Sequence, residues 1–280
     1  MIVLPTDPIQ AALSALAISE FCRLLPHPVR LAGPPSSLRW IPEAGCGPNI
    51  VFPDARTSPR GFAEWLEYNR GDRGEWSLLA TANATPMEEA VFHWLGAGAR
   101  FGAPRSCPRG SANILLATDS HAPCHDSYLR GLFRILRPKM GELSFPPHEP
   151  GGAIVLELPD DLAEKGRRTR RWADAITQIA TVNPIQVAQF DPLPSSITDL
   201  LKGMGSRATI VHISNANETL ELAEKSRIWI GPRSPTTALA ALTNCRVKLI
   251  GTLKSAADYP ETASLTISGK IDWQGDLDAL

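Results

Sequence analysis

Short, nearly unbroken apolar runs alternate along this chain with longer stretches in which apolar positions recur every three or four residues. Runs of the first kind are 2–5, 29–32, 49–52, 76–80, 99–101 and 113–117. They lack the in-out alternation of a half-exposed strand, so they predict strands buried on both faces, as in a parallel sheet. The periodic stretches 9–25, 61–68, 86–95 and 125–136 predict the intervening helices. Asp7 followed by Pro8 suits a helix start: an aspartate cap, then a residue with no N–H to satisfy. Residues 138–152 hold four prolines and several glycines and predict a linker. The same alternation resumes with strands at 153–158, 185–190, 208–212, 228–230 and 247–250. Helices are expected at 172–180, 197–204 and 217–226 and from Ser234 onward. Asn217 reads as a cap, and 159–171 as a charged loop. The tail after Gly251 is weakly patterned. The expectation is an α/β chain with two Rossmann-like, doubly wound parallel sheets facing a cleft. Residues 1–140 form an N-terminal domain, 141–152 the linker and 153–280 a C-terminal domain.

One stretch concentrates recognisable chemistry: Ile228-Trp-Ile-Gly-Pro-Arg-Ser-Pro-Thr-Thr-Ala-Leu-Ala-Ala-Leu242. A buried strand breaks at Gly231-Pro232, and Ser234-Pro235 then reads as cap and first helical residue. Thr236 and Thr237 would turn free backbone N–H groups and two hydroxyls outward. A helix start at the carboxyl end of a parallel strand is a phosphate site by geometry, although a well-capped helix that binds nothing uses the same residues.

Composition narrows the classes. The chain has 280 residues, a net charge of −1 and a mean hydropathy of −0.09, which fits a soluble two-domain protein without a field for nucleic acid. Five cysteines, none in a Cys-x-x-Cys pair, predict reduced thiols and a cytoplasmic setting. No signal peptide and no membrane-spanning run are expected, which leaves peripheral contact with an inner membrane open.

Four segments together resemble glycosyltransferase family 9, the ADP-heptose:lipopolysaccharide heptosyltransferases of GT-B fold. Thr6-Asp7 through Leu16 is similar to the family's opening Gly-Asp…Leu-Pro-Ala-Leu. Trp76–Ala80 followed by Leu95-Gly-Ala-Gly-Ala-Arg-Phe-Gly102 is similar to its Leu-x-Gly-Ala-x-x-Arg-x-Gly block. Arg171-Trp-Ala-Asp-Ala-Ile176 resembles its Lys/Arg-Trp-Pro segment. Gly231–Leu242 with Val247–Gly251 is similar to Gly-Pro-Asp-Thr-Gly-x-x-His-Leu-Ala-Ala-Ala…Gly. The order is that of the family across residues 2–251. Three departures bear on the donor site: Arg233, Pro235 and Ala238 stand where the family has Asp, Gly and His. Thr6 replaces the glycine before the first aspartate.

The resemblance implies an inverting, metal-independent transfer of heptose or another hexose-like sugar. The donor would be a nucleotide diphosphate sugar, and the acceptor a hydroxyl of a surface glycan or lipid-linked saccharide. No cofactor is implied beyond the donor substrate. Asp7 would be the catalytic base, or simply an N-cap. Lys165, Arg167 and Arg168, in a basic run reaching Arg171, would neutralise the departing diphosphate, or form a solvated loop. Arg233, Ser234, Thr236 and Thr237 would hold the donor phosphates, and Glu218 a ribose hydroxyl. His125 and Arg130 would line the acceptor side. His121-Ala-Pro-Cys124-His125-Asp126 matches no zinc spacing, so no metal site is expected. The altered donor motif supports an alternative, a catalytically inactive GT-B-like binding or assembly protein.

Overall fold

A computed structural model describes residues 1–42, 46–55, 57–69, 75–81, 84–95, 98–102, 114–115, 125–141, 152–159, 162, 166–190, 192–250, 259 and 265–268. Only the backbone is described at 114–115, 125–128 and 265–268. The chain divides into two compact units, Met1–Ser144 with Asp258–Glu261, and Phe145–Ala257 with Thr262–Leu280. The segment 142–151, at the expected linker, lies outside the described residues, as does the cluster from His121 to Cys124.

The first unit is built outward from β1 (Ile2–Val3), which pairs in parallel with β2 (Leu31–Gly33) on one side and β4 (Trp76–Leu79) on the other. With β3 (Ile50–Val51), β5 (Ala99–Gly102) and β6 (Ile114–Leu115) the order is β3-β2-β1-β4-β5-β6. All these pairings are parallel, as the uninterrupted apolar runs require. After β1 the chain enters α1 (Pro8–Arg23), whose alanine-rich surface is buried on nearly all sides. Phe21 of α1 stacks on Phe133 of α5 (His125–Leu136) with ring centroids 4.3 Å apart. On the other face, Val3, Leu79, Val91 and Phe92 meet Phe52 and Phe62. There α3 (Pro59–Tyr68) and α4 (Pro86–Trp94) cover the sheet.

The second unit repeats the topology. Its strands are β7 (Ile154–Glu157), β8 (Ile185–Gln189), β9 (Ala208–His212), β10 (Ile228–Pro232), β11 (Arg246–Ile250) and β12 (Leu265–Ser268). Their order is β12-β11-β10-β7-β8-β9, again parallel throughout. Trp172, Ile176 and Ile179 of α6 (Arg167–Val182) pack on Ile154, Leu156, Ile228 and Ile230. Around the sheet lie α7 (Ser195–Gly203), α8 (Ala216–Glu224) and α9 (Pro235–Ala240).

Two local expectations are corrected and two elements are added. The basic run is not a loop from 166 onward: Gly166 caps α6, and Arg167 to Arg171 form its first turns. Asn215, not Asn217, caps α8, because its extended backbone lets its side chain accept the Glu218 N–H at 3.0 Å. A short helix, α2 (Pro35–Leu38), follows β2, with Pro35 at a position where a missing N–H costs nothing. The tail contains β12, an edge strand beside β11.

Candidate functional site

In a doubly wound sheet the helices leaving adjacent strands diverge to opposite faces where the strand order reverses, and that seam at the carboxyl edge is where ligands bind. The seams here lie between β1 and β4 and between β7 and β10.

At the first seam, Asp7 caps α1: its Oδ1 accepts the Ile9 N–H at 2.8 Å. Thr6, one residue earlier, is buried, and its hydroxyl donates to Oε1 of Glu88 at 2.9 Å. The Thr6 N–H donates to the same oxygen. Glu88 sits in the first turn of α4, and its Oε2 accepts the Thr85 N–H at 2.8 Å. The Glu88 N–H in turn donates to the Thr85 hydroxyl, which completes a reciprocal capping box. One buried carboxylate therefore ties the loop after β1 to the start of the helix after β4. Burial pushes the Glu88 carboxyl above its ordinary range, against the pull of hydrogen bonds from Thr6 and Thr85.

At the second seam, Ser234 caps α9 as expected, accepting the Thr237 N–H at 3.0 Å. The two threonines do not face outward, however. Thr237 is fully buried and Thr236 is 5% exposed. The Thr237 hydroxyl donates to Oε2 of Glu157, at the end of β7, at 2.7 Å, and the Trp229 indole N–H donates to the same oxygen at 3.0 Å. Thr236 shares its hydroxyl with Ser234 at 3.1 Å. Gly231 is required here, because a Cβ would lie 2.5 Å from the Thr237 hydroxyl oxygen and 2.9 Å from the Glu157 Cβ. Burial pushes the Glu157 carboxyl above its ordinary range, while hydrogen bonds from Ser234, Thr236, Thr237 and Trp229 pull it part of the way back. A carboxylate from within the protein thus holds the hydroxyls that the sequence assigns to an external anion.

The same edge carries a cluster of arginines. β7 and β10 are hydrogen-bonded neighbours, and α6 starts from the loop after β7. Arg167, Arg168, Arg170 and Arg171 are exposed on its first turns. Gly166 offers no side-chain cap, and no acidic residue lies in the first turn. Cations at the positive end of a helix dipole are unfavourable unless an anion joins them. Arg233 stands half-buried immediately before Ser234, and Lys165 lies outside the described residues.

The remaining candidates are placed less favourably. Arg130 is buried, and its Nη1 pairs with Oε2 of Glu20 at 2.6 Å and with the Gly141 carbonyl at 3.3 Å. Glu20 is near the far end of α1, about 20 Å from Asp7 at the rise of an α-helix, so Arg130 braces the fold rather than the acceptor side. Burial works to raise the Glu20 carboxyl, but the Arg130 and Gly141 hydrogen bonds outweigh it and hold it below its usual range. Glu218 is exposed at the start of α8, where its Oε2 accepts the Ser214 N–H at 2.6 Å and the Ser214 hydroxyl at 2.9 Å. The Ser214 N–H lowers its pKa. It lies at the carboxyl edge beyond β9, which β7 and β8 separate from β10. The backbone alone is described at His125. Among the described residues no cluster of metal-ligating side chains occurs, and no helix is long and apolar enough to cross a membrane.

Glu88 and Glu157 escaped the sequence reading. Thr85-x-x-Glu88 carried a legible signal, the capping-box spacing. Glu157 showed only as a lone carboxylate in an apolar strand.

No protein-family signature matches the chain, and no curated protein matches it in sequence. Solved structures do match in fold. E. coli heptosyltransferase WaaC with ADP is similar at a TM-score of 0.72 and 12% identity, over 99% of this chain and 98% of that one. WaaC with ADP-2-deoxy-2-fluoro heptose gives 0.67 and 12%, over 95% and 92%. A glycosyl transferase family 9 protein from Veillonella parvula DSM 2008 gives 0.64 and 9%, over 99% and 88%. The fold is accordingly that of the GT-B glycosyltransferases.

Proposed function

We propose that this protein is a glycosyltransferase that moves a sugar from a nucleotide diphosphate donor to an acceptor hydroxyl, with inversion and without a metal. The observation that carries the reading is the first turns of α6. Four exposed arginines stand in the first turns of a helix that starts at the carboxyl edge of the second sheet, where backbone N–H groups and guanidinium forks both suit a diphosphate.

In this reading the acceptor hydroxyl attacks the anomeric carbon and passes its proton to Asp7. Oδ1 of Asp7 is held by the Ile9 N–H, which leaves Oδ2 for the proton. The bond from the anomeric carbon to the phosphate oxygen breaks, and the nucleoside diphosphate departs with the electron pair. Arg167, Arg168 and Arg233, with Lys165, offset its charge. Ser234, Thr236 and Thr237 shape the tip against which the diphosphate lies, and Glu218 is assigned to a ribose hydroxyl. The acceptor is a glycan or lipid-linked saccharide, which places the protein in the cytoplasm at an inner membrane.

A second reading, a GT-B-like binding protein without transfer activity, is favoured by Glu157. Its carboxylate already occupies the Thr237 hydroxyl and the Trp229 N–H, and a bound diphosphate would face that charge. Thermal shift with ADP-, UDP- and GDP-sugars separates the two. Stabilisation by one of them, weakened about tenfold in affinity in Arg167→Ala/Arg168→Ala without loss of intrinsic stability, supports the transferase. No response to any nucleotide supports the second reading.

A further inference from the structure

We infer that the first unit carries a pocket for an uncharged, apolar portion of the acceptor. This inference rests on the transferase reading only for the word acceptor; the pocket itself stands on four observations.

It has a volume of about 470 Å³ and is lined by Thr6, Ala55, Phe62, Thr85, Pro86 and Met87. That size falls within the range of small-molecule sites, about 300–1,000 Å³. Its position follows from topology. Thr6 comes from the loop after β1, Thr85 to Met87 from the start of α4 after β4, Ala55 from the loop after β3, and Phe62 from α3. These all belong to the carboxyl edge of the first sheet, and the seam between β1 and β4 runs through the pocket. Thr6 is joined directly to Asp7, so a group seated here extends from the residue proposed to receive the proton.

The chemistry of the walls selects the occupant. Phe62, Met87, Ala55 and Pro86 offer carbon and sulfur, and the polar groups are two threonines, both with hydroxyls bonded to Glu88: Thr6 donates to its carboxylate and Thr85 accepts its N–H. Among the described residues no cation lines the pocket. The buried Glu88 carboxylate stands directly behind Thr6 and Thr85, and Asp7 follows Thr6 in the chain. Among the described residues an anionic group would meet only like charge, whereas an alkyl chain or a fused-ring portion gains by leaving water against Phe62, Met87, Ala55 and Pro86. The walls are also held in place: the Ala55 N–H donates to the Met87 sulfur at 3.2 Å, and Phe62 stacks on Trp65 with centroids 6.4 Å apart. A pocket braced before binding loses little to ordering when filled.

The test is saturation-transfer NMR on the whole protein with octyl β-glucoside below its micellar concentration, against glucose and glucuronic acid. The octyl protons are expected to receive saturation, and the two plain sugars little. Ala55→Phe, which fills the space from a half-buried loop, is expected to weaken octyl glucoside binding at least about tenfold. Pro86→Trp, from the exposed rim, provides a second block should Ala55→Phe melt early. Glucuronic acid binding as well as octyl glucoside, or an octyl signal indifferent to both blocking variants, overturns the proposal. A variant-sensitive octyl signal in a protein that answers to no nucleotide overturns the transferase reading instead, and leaves an apolar-ligand site.

Discussion

Replacing Glu157 tests how the second seam is held. Its carboxylate is 8% exposed and collects the Thr237 hydroxyl and the Trp229 indole N–H on one oxygen. In Glu157→Ala the indole keeps an acceptor, because the Thr237 oxygen is 3.2 Å away. The Thr237 proton then has none. A buried donor left without a partner costs about 1–3 kcal/mol, and the vacated side chain adds a cavity cost of about 1 kcal/mol. The sum is about 3 kcal/mol, and at about 4 °C per kcal/mol in a unit of this size the midpoint falls by about 12 °C. Glu157→Gln keeps an acceptor for both donors and removes a buried charge, so it should stay within about 1 kcal/mol of the natural protein. Calorimetry gives the midpoints, and hydrogen exchange over 228–241 shows whether the loss is local. An alanine variant melting within a degree of the parent would refute the argument. So would a glutamine variant as damaged as the alanine one, since that would make charge, not geometry, the holding force. The sign with pH is also fixed. The Glu157 carboxyl is raised above its ordinary 4.5. Its stabilising contribution is therefore complete below that value and is lost as pH rises through the folded pKa. The parent should gain on Glu157→Gln as pH falls from neutral toward 4.5, and the opposite slope would be fatal to the reasoning.

Three further outcomes follow from the geometry. Asp7→Asn should keep the cap and abolish transfer, whereas Asp7→Ala should also lose about 1 kcal/mol in denaturant melts; full turnover in Asp7→Asn removes the base role. Arg130→Met strands the Glu20 carboxylate and should cost about 3 kcal/mol by urea titration. The depressed Glu20 pKa means this contribution is present above the ordinary carboxylate range and fades as pH falls through the folded value, so the gap between parent and variant should narrow in acid. Gly231→Ala should lose about 2 kcal/mol through contact with Thr237 and Glu157, measured as a lowered melting midpoint, with Glu157→Gln unable to rescue it.

The alternation of strands and helices was readable because parallel strands buried on both faces leave solid apolar blocks such as 2–4 and 154–156. The Ser234 cap was readable because cap chemistry is local: residue type, a proline after it and an extended backbone. What lay hidden was either against local rules or without local cause. Arginines at 167–171 look wrong for a helix start, so the basic run reads as loop, yet α6 begins there. The alternating Leu265-Thr-Ile-Ser268 is a weak edge-strand pattern that needs β11 beside it to take shape. The clearest miss is the inward turn of Thr236 and Thr237. Capping alone would aim them at solvent, and it takes Glu157, eighty residues earlier, to draw Thr237 inside. No spacing in the sequence announces that partner.

The two clamps share a task but not a layout. In the first sheet the acid sits on the helix following the fourth strand in sequence and reaches back to the loop after the first. In the second it sits at the end of the first strand and reaches forward to the helix after the fourth. The same topology is therefore stitched from opposite directions, each time by one buried carboxylate at the seam. One consequence is modularity: either seam can be retuned by sequence change at its own stitch while the other stays as it was.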